Sequence, residues 1–272
     1  RMNYASPFLG GLIDLTARYG VNDYENLTLQ TSPTVRRESR YQEEGSSGEF
    51  GAVFTRPLGS RLTSETRFIH EFSDNNGVSL SRTTLSGVGS PEQGFASDSK
   101  ASETILRSLV RFEQSANLTW ESGGEVAYNM LETDQAFSVG GIPVPLPSAS
   151  VKVEETRGEL FGKGAWRIRD NFSVESGLRL EGSTISQSGD AESEKTFTFI
   201  KPRLLATWTP GAANQFRVRF EREVGQLDFN AFAASAELQN ENVLGGNIDL
   251  EPEQRWISEL AYERRFWGDG VI

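Results

Sequence analysis

Apolar and polar residues alternate with a period of two along almost the whole chain, and no other feature restricts the fold as much. Across residues 117–130, Leu118, Trp120, Val126, Tyr128 and Met130 share a side with Ser122 and Gly124, while Asn117, Glu121, Glu125 and Asn129 share the other. Phe172, Val174, Leu178 and Leu180 oppose Ser173, Glu175, Gly177, Arg179 and Glu181; Phe216, Val218 and Phe220 oppose Arg217, Arg219 and Glu221. Leu62, Phe68 and Phe72 oppose Arg61, Thr63, Glu65, Arg67 and Glu71, and Ile13, Leu15, Ala17 and Tyr19 oppose Asp14, Thr16 and Arg18. A period of two belongs to strands with two chemically different faces. Helical spacing is confined to the short run FNAFAASAEL at 229–238.

The connections complete the pattern. Short turns are expected at 19–23, 56–60, 112–117, 167–171, 209–214 and 267–270, where Gly, Pro, Asn and Asp gather. Longer loops are expected at roughly 31–47, 73–100, 133–150, 186–193 and 223–253. Short and long alternate, with about eleven strands of roughly 10 to 16 residues between them, longer than the usual strand of a soluble sandwich. A slip of the apolar phase at Lys201-Pro202 predicts a bulge.

Bulk composition is silent on the membrane. Apolar residues make up 36% and mean hydropathy is -0.45, and no run reaches the roughly 18 apolar residues of a membrane helix. Averages like these describe a soluble protein, but also a membrane β-barrel, whose lipid-facing residues are diluted by alternation. Turns short at one end and long at the other, and aromatics near strand ends (Trp120, Tyr128, Trp166, Trp208, Trp256, Phe266, Trp267), favour the barrel. Its backbone polar groups are then paired within a closed sheet, as hydrocarbon requires. The net charge of -11 excludes a nucleic-acid surface, which needs clustered Lys and Arg. Without cysteine there is no disulfide, thiolate metal site or cysteine nucleophile.

The most specific stretch lies at 201–268. KPRLLATWTPGAANQFRVRFEREVGQLDFNAF, followed by GGNIDLEPEQRWISELAYERRF, resembles the barrel of TonB-dependent outer-membrane receptors. The motif positions are Gly246, Asn247, Leu250, Pro252, Glu253, Glu259 and Tyr262, together with Pro202, Arg203, Trp208, Pro210, Arg219, Phe229, Leu260, Glu263 and Phe266; Ala261 stands where the family usually has Gly. The resemblance implies an all-β, antiparallel transmembrane β-barrel. This chain, residues 1–272, would be about half of the family's roughly 22 strands, without the plug domain and the final strands. It implies uptake of a scarce nutrient such as a siderophore-iron chelate, cobalamin or a glycan, with no cofactor and no covalent chemistry. The implied partners are outer-membrane lipid, the small nutrient ligand, and an inner-membrane energy-coupling complex that reads the missing N-terminal part. Over residues 1–200 the likeness rests on strand and loop rhythm alone.

Other functions are weighed against single features. His70 is the only histidine; an outer-membrane hydrolase would need it beside a serine, whereas its parity with Phe68 and Phe72 places it on the lipid side. EFSDNNGVS at 71–79 lacks the spaced acids and final Glu of a calcium loop and reads as an exposed loop. The acidic run 188–195 reads as a solvated tip, and GGIPVPLPSAS at 140–150 and the 229–239 segment as candidate ligand-contacting loops. Arg107, Arg111, Glu121, Glu125, Arg179, Arg217, Arg219, Glu259 and Glu263 are expected to line a wet interior. A soluble β-rich binding module would instead bury Leu118, Trp120 and Tyr128.

Overall fold

The computed structural model describes residues 1–232, 235–237, 242–244, 247, 249–266 and 270–271. The strands are β1 (Met2–Phe8), β2 (Gly11–Thr31), β3 (Val35–Pro57), β4 (Leu62–Leu85), β5 (Val88–Gly89), β6 (Gln93–Ser115), β7 (Leu118–Val139) and β8 (Ile142–Val144). They continue as β9 (Ser150–Arg169), β10 (Phe172–Gly189), β11 (Ser193–Gly211), β12 (Asn214–Val224), β13 (Ser235–Glu237), β14 (Asn242–Leu244), β15 (Gln254–Phe266) and β16 (Gly270–Val271). One sheet runs β1-β2-β3-β4-β6-β7-β9-β10-β11-β12-β15-β16, with β5 on β4 and β8 on β7, and β13 pairs with β14 apart from it. Every pairing is antiparallel, and each long strand pairs with the next long strand along the chain, the short β5, β8, β13 and β14 lying in the connections between them, as an up-and-down meander requires.

The two faces separate as alternation predicts. Trp120 is 47% exposed, Val218 44% and Leu260 76%. Glu121, Glu155, Glu159 and Glu221, on the opposite face, are buried. Val174 likewise stands on the outward face with Trp166, its partner in register. Apolar side chains outside and buried carboxylates inside invert the arrangement of a soluble sandwich, so the binding-module alternative fails. Among the outward residues, Phe172, Trp208, Phe216 and Tyr262 lie side by side near the short-turn rim; Trp208 stacks on Phe216 at 5.5 Å, and Phe216 on Tyr262 at 4.8 Å. Gly164 sits beneath the Trp120 ring, where an added Cβ would come within 2.8 Å of it. An indole lying over a strand glycine covers backbone that would otherwise face lipid.

The strands are longer than expected. β3 has 23 residues and β4 has 24, roughly 75 Å of chain at about 3.3 Å per residue, whereas some 9 to 11 residues cross a bilayer. The expected loops at 31–47, 73–100, 133–150 and 186–193 are therefore largely strand: the hairpins rise beyond the membrane and close tightly. Ser86-Gly87 (φ 49° and 84°) and Gly140-Gly141 (φ 60° and 77°) make two such closures, left-handed pairs that suit two-residue hairpin loops. The segment 71–79 is part of β4 and not an exposed loop. The turn expected at 19–23 lies inside β2; the chain turns instead at Leu9-Gly10 (φ 45° and 75°).

The bulge expected at Lys201-Pro202 is absent, since β11 stays in register with β10 from Ser193 to Trp208. Pro202 marks the place where β12 leaves β11: the last pair on that side is Arg203 with Glu221, and the Arg222 guanidinium takes over by donating to the Ile200 carbonyl at 3.2 Å. A residue without an N–H is tolerated where no ladder bond is needed. Observed irregularities fall instead between Phe172 and Ser173, Glu113 and Ser115, and Trp208 and Gly211, all beside short turns.

Candidate functional site: the inner wall and its inward loop

Inward side chains of successive strands meet as an ionic lattice. Glu121 accepts Arg111 at 3.0 Å and Lys163 at 3.4 Å, and Glu125 accepts Arg107 at 3.1 Å and Arg157 at 3.3 Å. Glu159 holds Lys201 at 2.7 Å and Arg179 at 3.8 Å, and Lys201 reaches on to Glu181 at 2.5 Å. Glu221 pairs with Arg203 at 3.4 Å and with Arg219, which also meets Glu223 at 3.2 Å and Glu259 at 3.7 Å. The Arg107 guanidinium lies 4.3 Å above the Phe161 ring. Two cations on most of these carboxylates let charge sit against a partly dry wall.

Nearer the long-loop end one lateral row runs Arg18, Glu49, Glu71, Glu103, Asn129 and Glu155, each directly opposite the next. Like charges facing one another across a ladder are unfavourable, and here three carboxylates stand in succession. Glu155 is held by the Ser183 hydroxyl at 2.5 Å and the Asn129 amide at 3.2 Å, while Asn129 Oδ1 is buried without a partner. This row lines a cavity of about 610 Å³, closed on its other side by Gln226, Leu227, Phe229 and Asn230. Farther out, the Tyr41 hydroxyl donates to Glu43. That bond to a carboxylate, aided by burial, pushes the phenol up to about 12.

The residues closing the cavity belong to the loop between β12 and β15, which turns inward. Its 3₁₀ turn, Phe229–Phe232, drives Phe232 (3% exposed) onto Val151, Val153 and Ile185, an apolar patch on the inner wall, with Leu227 and Leu250 packed around it. Asp228 caps the turn by accepting the Asn230 backbone N–H at 3.0 Å. The helix expected over 229–238 is thus a single 3₁₀ turn, followed in the described part by β13.

The motif residues are not gathered at one point. Gly246 lies outside the described residues. Asn247 ties the loop, its N–H donating to the Ala231 carbonyl at 3.0 Å while its side chain accepts from Asp249 N–H at 2.9 Å. Leu250 joins the Phe232 cluster, and its carbonyl accepts Lys195 at 3.5 Å. Pro252 is partly buried beside Glu253, whose carbonyl accepts the Gly225 N–H at 2.8 Å at the loop's base. Glu259 belongs to the ionic lattice, and Tyr262 to the outward aromatic row, its hydroxyl donating to Asn214 at 2.8 Å. Of the expected inner-wall set, Arg107, Arg111, Glu121, Glu125, Arg179 and Arg219 join the lattice. Among the described residues Glu263 pairs with Arg265 alone, at 3.1 Å, and Arg217 makes no ion pair. The sequence reading missed Arg157, Glu159, Lys163 and Lys201 in β9 and β11, although their odd parity matched that of Arg179. His70 faces outward and meets the Thr104 hydroxyl at 2.9 Å; among the described residues no serine bonds its ring, so the Ser–His pair that the hydrolase alternative needs is not formed.

A long antiparallel meander with an apolar outside and an ionic inside defines a transmembrane β-barrel wall. The family model described as TonB dependent receptor-like, beta-barrel, matches residues 3–272, and the chain belongs to that family. The family's place is the bacterial outer membrane, and its members are receptors, not enzymes. No curated protein matches by sequence. Among solved structures, the ferric-catecholate import receptor Fiu from E. coli K12 is similar with a TM-score of 0.63 at 7% identity, over 98% of this chain and 51% of that one. The siderophore receptor PiuA from Acinetobacter baumannii gives 0.56 at 11% identity, over 94% and 52%. The Serratia marcescens hemophore receptor HasR, solved with its hemophore HasA and heme, gives 0.51 at 12%, over 99% and 50%. The chain thus spans about half the length of these structures.

Proposed function

We propose that this chain is the barrel portion of an outer-membrane receptor that captures a scarce nutrient and passes it inward, the rest of the barrel and an N-terminal plug being supplied by the remainder of the receptor. The observation that carries the reading is the cavity of about 610 Å³ between the polar inner wall and the inward loop. It lies at the long-loop end and joins carboxylates and amides to the Phe229 ring, the mixed polar and apolar lining of a small-molecule site. The motif residues Asn247, Leu250, Pro252 and Glu253 fix the loop that closes this cavity; Glu259 and Tyr262 secure the strand that follows it. Receptors named for ferric-catecholate import, for a siderophore and for a heme-carrying hemophore among the similar structures favour an iron chelate over cobalamin or a glycan. Passage inward is driven by the inner-membrane energy-coupling complex. The test is uptake of radiolabelled ferric siderophores by cells carrying or lacking the full-length gene, with and without a proton uncoupler. Uptake that needs both the receptor and the proton gradient is expected; equal uptake in the two strains across ferric chelates, cobalamin and oligosaccharides refutes the proposal.

A further inference from the structure

The irregularity between β9 and β10 builds a second recess, on the lipid side at the short-turn rim. Alternation along β9 would turn Arg169 inward with Arg167. The register shift instead sets Arg169 opposite Phe172, and Phe172 opposite Trp208, so the arginine shares the outward aromatic face. Ile168, Arg169, Asn171, Phe172 and Trp208 line an open recess of about 390 Å³, a volume in the range of small-ligand sites. Its polar groups are uncommitted: among the described residues neither the Arg169 guanidinium nor the Asn171 carboxamide has a protein partner, and Asp170 makes no ion pair with Arg169. The Asn171 carbonyl is occupied by the Thr209 N–H at 2.8 Å, which holds the turn beside Trp208.

A guanidinium and an amide above an indole and an isoleucine, at the level where membrane gives way to water, offer charge and hydrogen bonds to a phosphate and apolar surface to an acyl chain. We propose that this recess is a binding site for a phospholipid headgroup, with the phosphodiester on Arg169 and Asn171 and an acyl chain against Ile168 and Trp208. A free anion gains nothing from the apolar half of the recess, so both parts of the lipid are needed.

The test uses the full-length receptor, stripped of lipid in mild detergent and titrated with palmitoyl-oleoyl phosphatidylglycerol while bound lipid is counted by native mass spectrometry. One saturable lipid is expected, with affinity falling at least tenfold in Arg169→Gln and staying unchanged in Arg167→Gln, which removes the same charge from the inner face. Arg169→Lys should retain most of the binding. Asn171→Asp, which adds a carboxylate to the recess, should weaken it even if Arg169→Gln does not fold. Glycerol phosphate at millimolar concentration should not displace the lipid. Equal affinity in the wild type and Arg169→Gln, equal loss in the two glutamine variants, or displacement by glycerol phosphate each overturns the proposal.

Discussion

Lys201 joins two carboxylates that the sheet sets face to face. Glu159 and Glu181 are direct cross-strand partners on β9 and β10, and the ammonium lies 2.7 Å from one and 2.5 Å from the other, with side-chain exposures of 13% for the lysine against 6% and 10%. Lys201→Met keeps the packing and deletes the charge. Two carboxylates roughly 5 Å apart at an effective dielectric near 20 then repel by about 3 kcal/mol, close to the 3–5 kcal/mol typical of breaking a buried pair. Arg179, at 3.8 Å from Glu159, offsets a part, so a net loss of about 2–3 kcal/mol is expected. Unfolding of the full-length receptor in detergent, followed by tryptophan fluorescence against urea, measures it. The double variant Lys201→Met/Glu181→Gln should recover to within about 1 kcal/mol of wild type, because the repulsion disappears with the second charge. A single variant as stable as wild type, or a double variant no more stable than the single, would show that the lattice does not hold these carboxylates as described.

Val218→Arg places a charge on the lipid face and should cost about 2–4 kcal/mol of barrel stability, against less than about 1 kcal/mol for Thr207→Arg on the inner face, both read by folding into vesicles in urea. Phe232→Ala removes the side chain that docks the inward loop; limited proteolysis should cut within 225–253 markedly faster while the strands melt unchanged. Absorbance at 295 nm should show a tyrosine step near pH 12 whose amplitude falls in Tyr41→Phe. Because the folded phenol holds its proton more tightly than the unfolded one, the stabilisation from Tyr41 is complete below about pH 10 and is lost as pH rises from there through 12. Gly164→Ala should displace the Trp120 ring, seen as a shift in tryptophan emission of the folded barrel.

Where membrane and water impose opposite demands on the two faces, the residues carry the fold openly: 117–130, 172–181 and 216–221 present the same faces in the structure as in the sequence. Above the membrane both faces meet water. Strand segments such as Arg36 to Gly48 then carry Glu, Arg, Ser and Gly on either side and resemble loops, although neighbouring hairpins of equal length keep their ladders paired. The turn misplaced at 19–23 has the same origin, because Gly20 and Asn22 suit a turn but here face a polar inner wall, where Asn22 donates to Glu43 at 3.0 Å.

The sequence by itself determined that the chain forms long amphipathic strands with carboxylates and cations on one side, because a period of two allows no other regular structure. Only the tertiary structure decided which charges meet. Lys201 on Glu159 and Glu181, the facing row from Glu49 to Glu103, and Arg169 turned to lipid all depend on register and on one irregularity between neighbouring strands. Those are set by ladder pairing across the whole sheet, and no local stretch of residues encodes them.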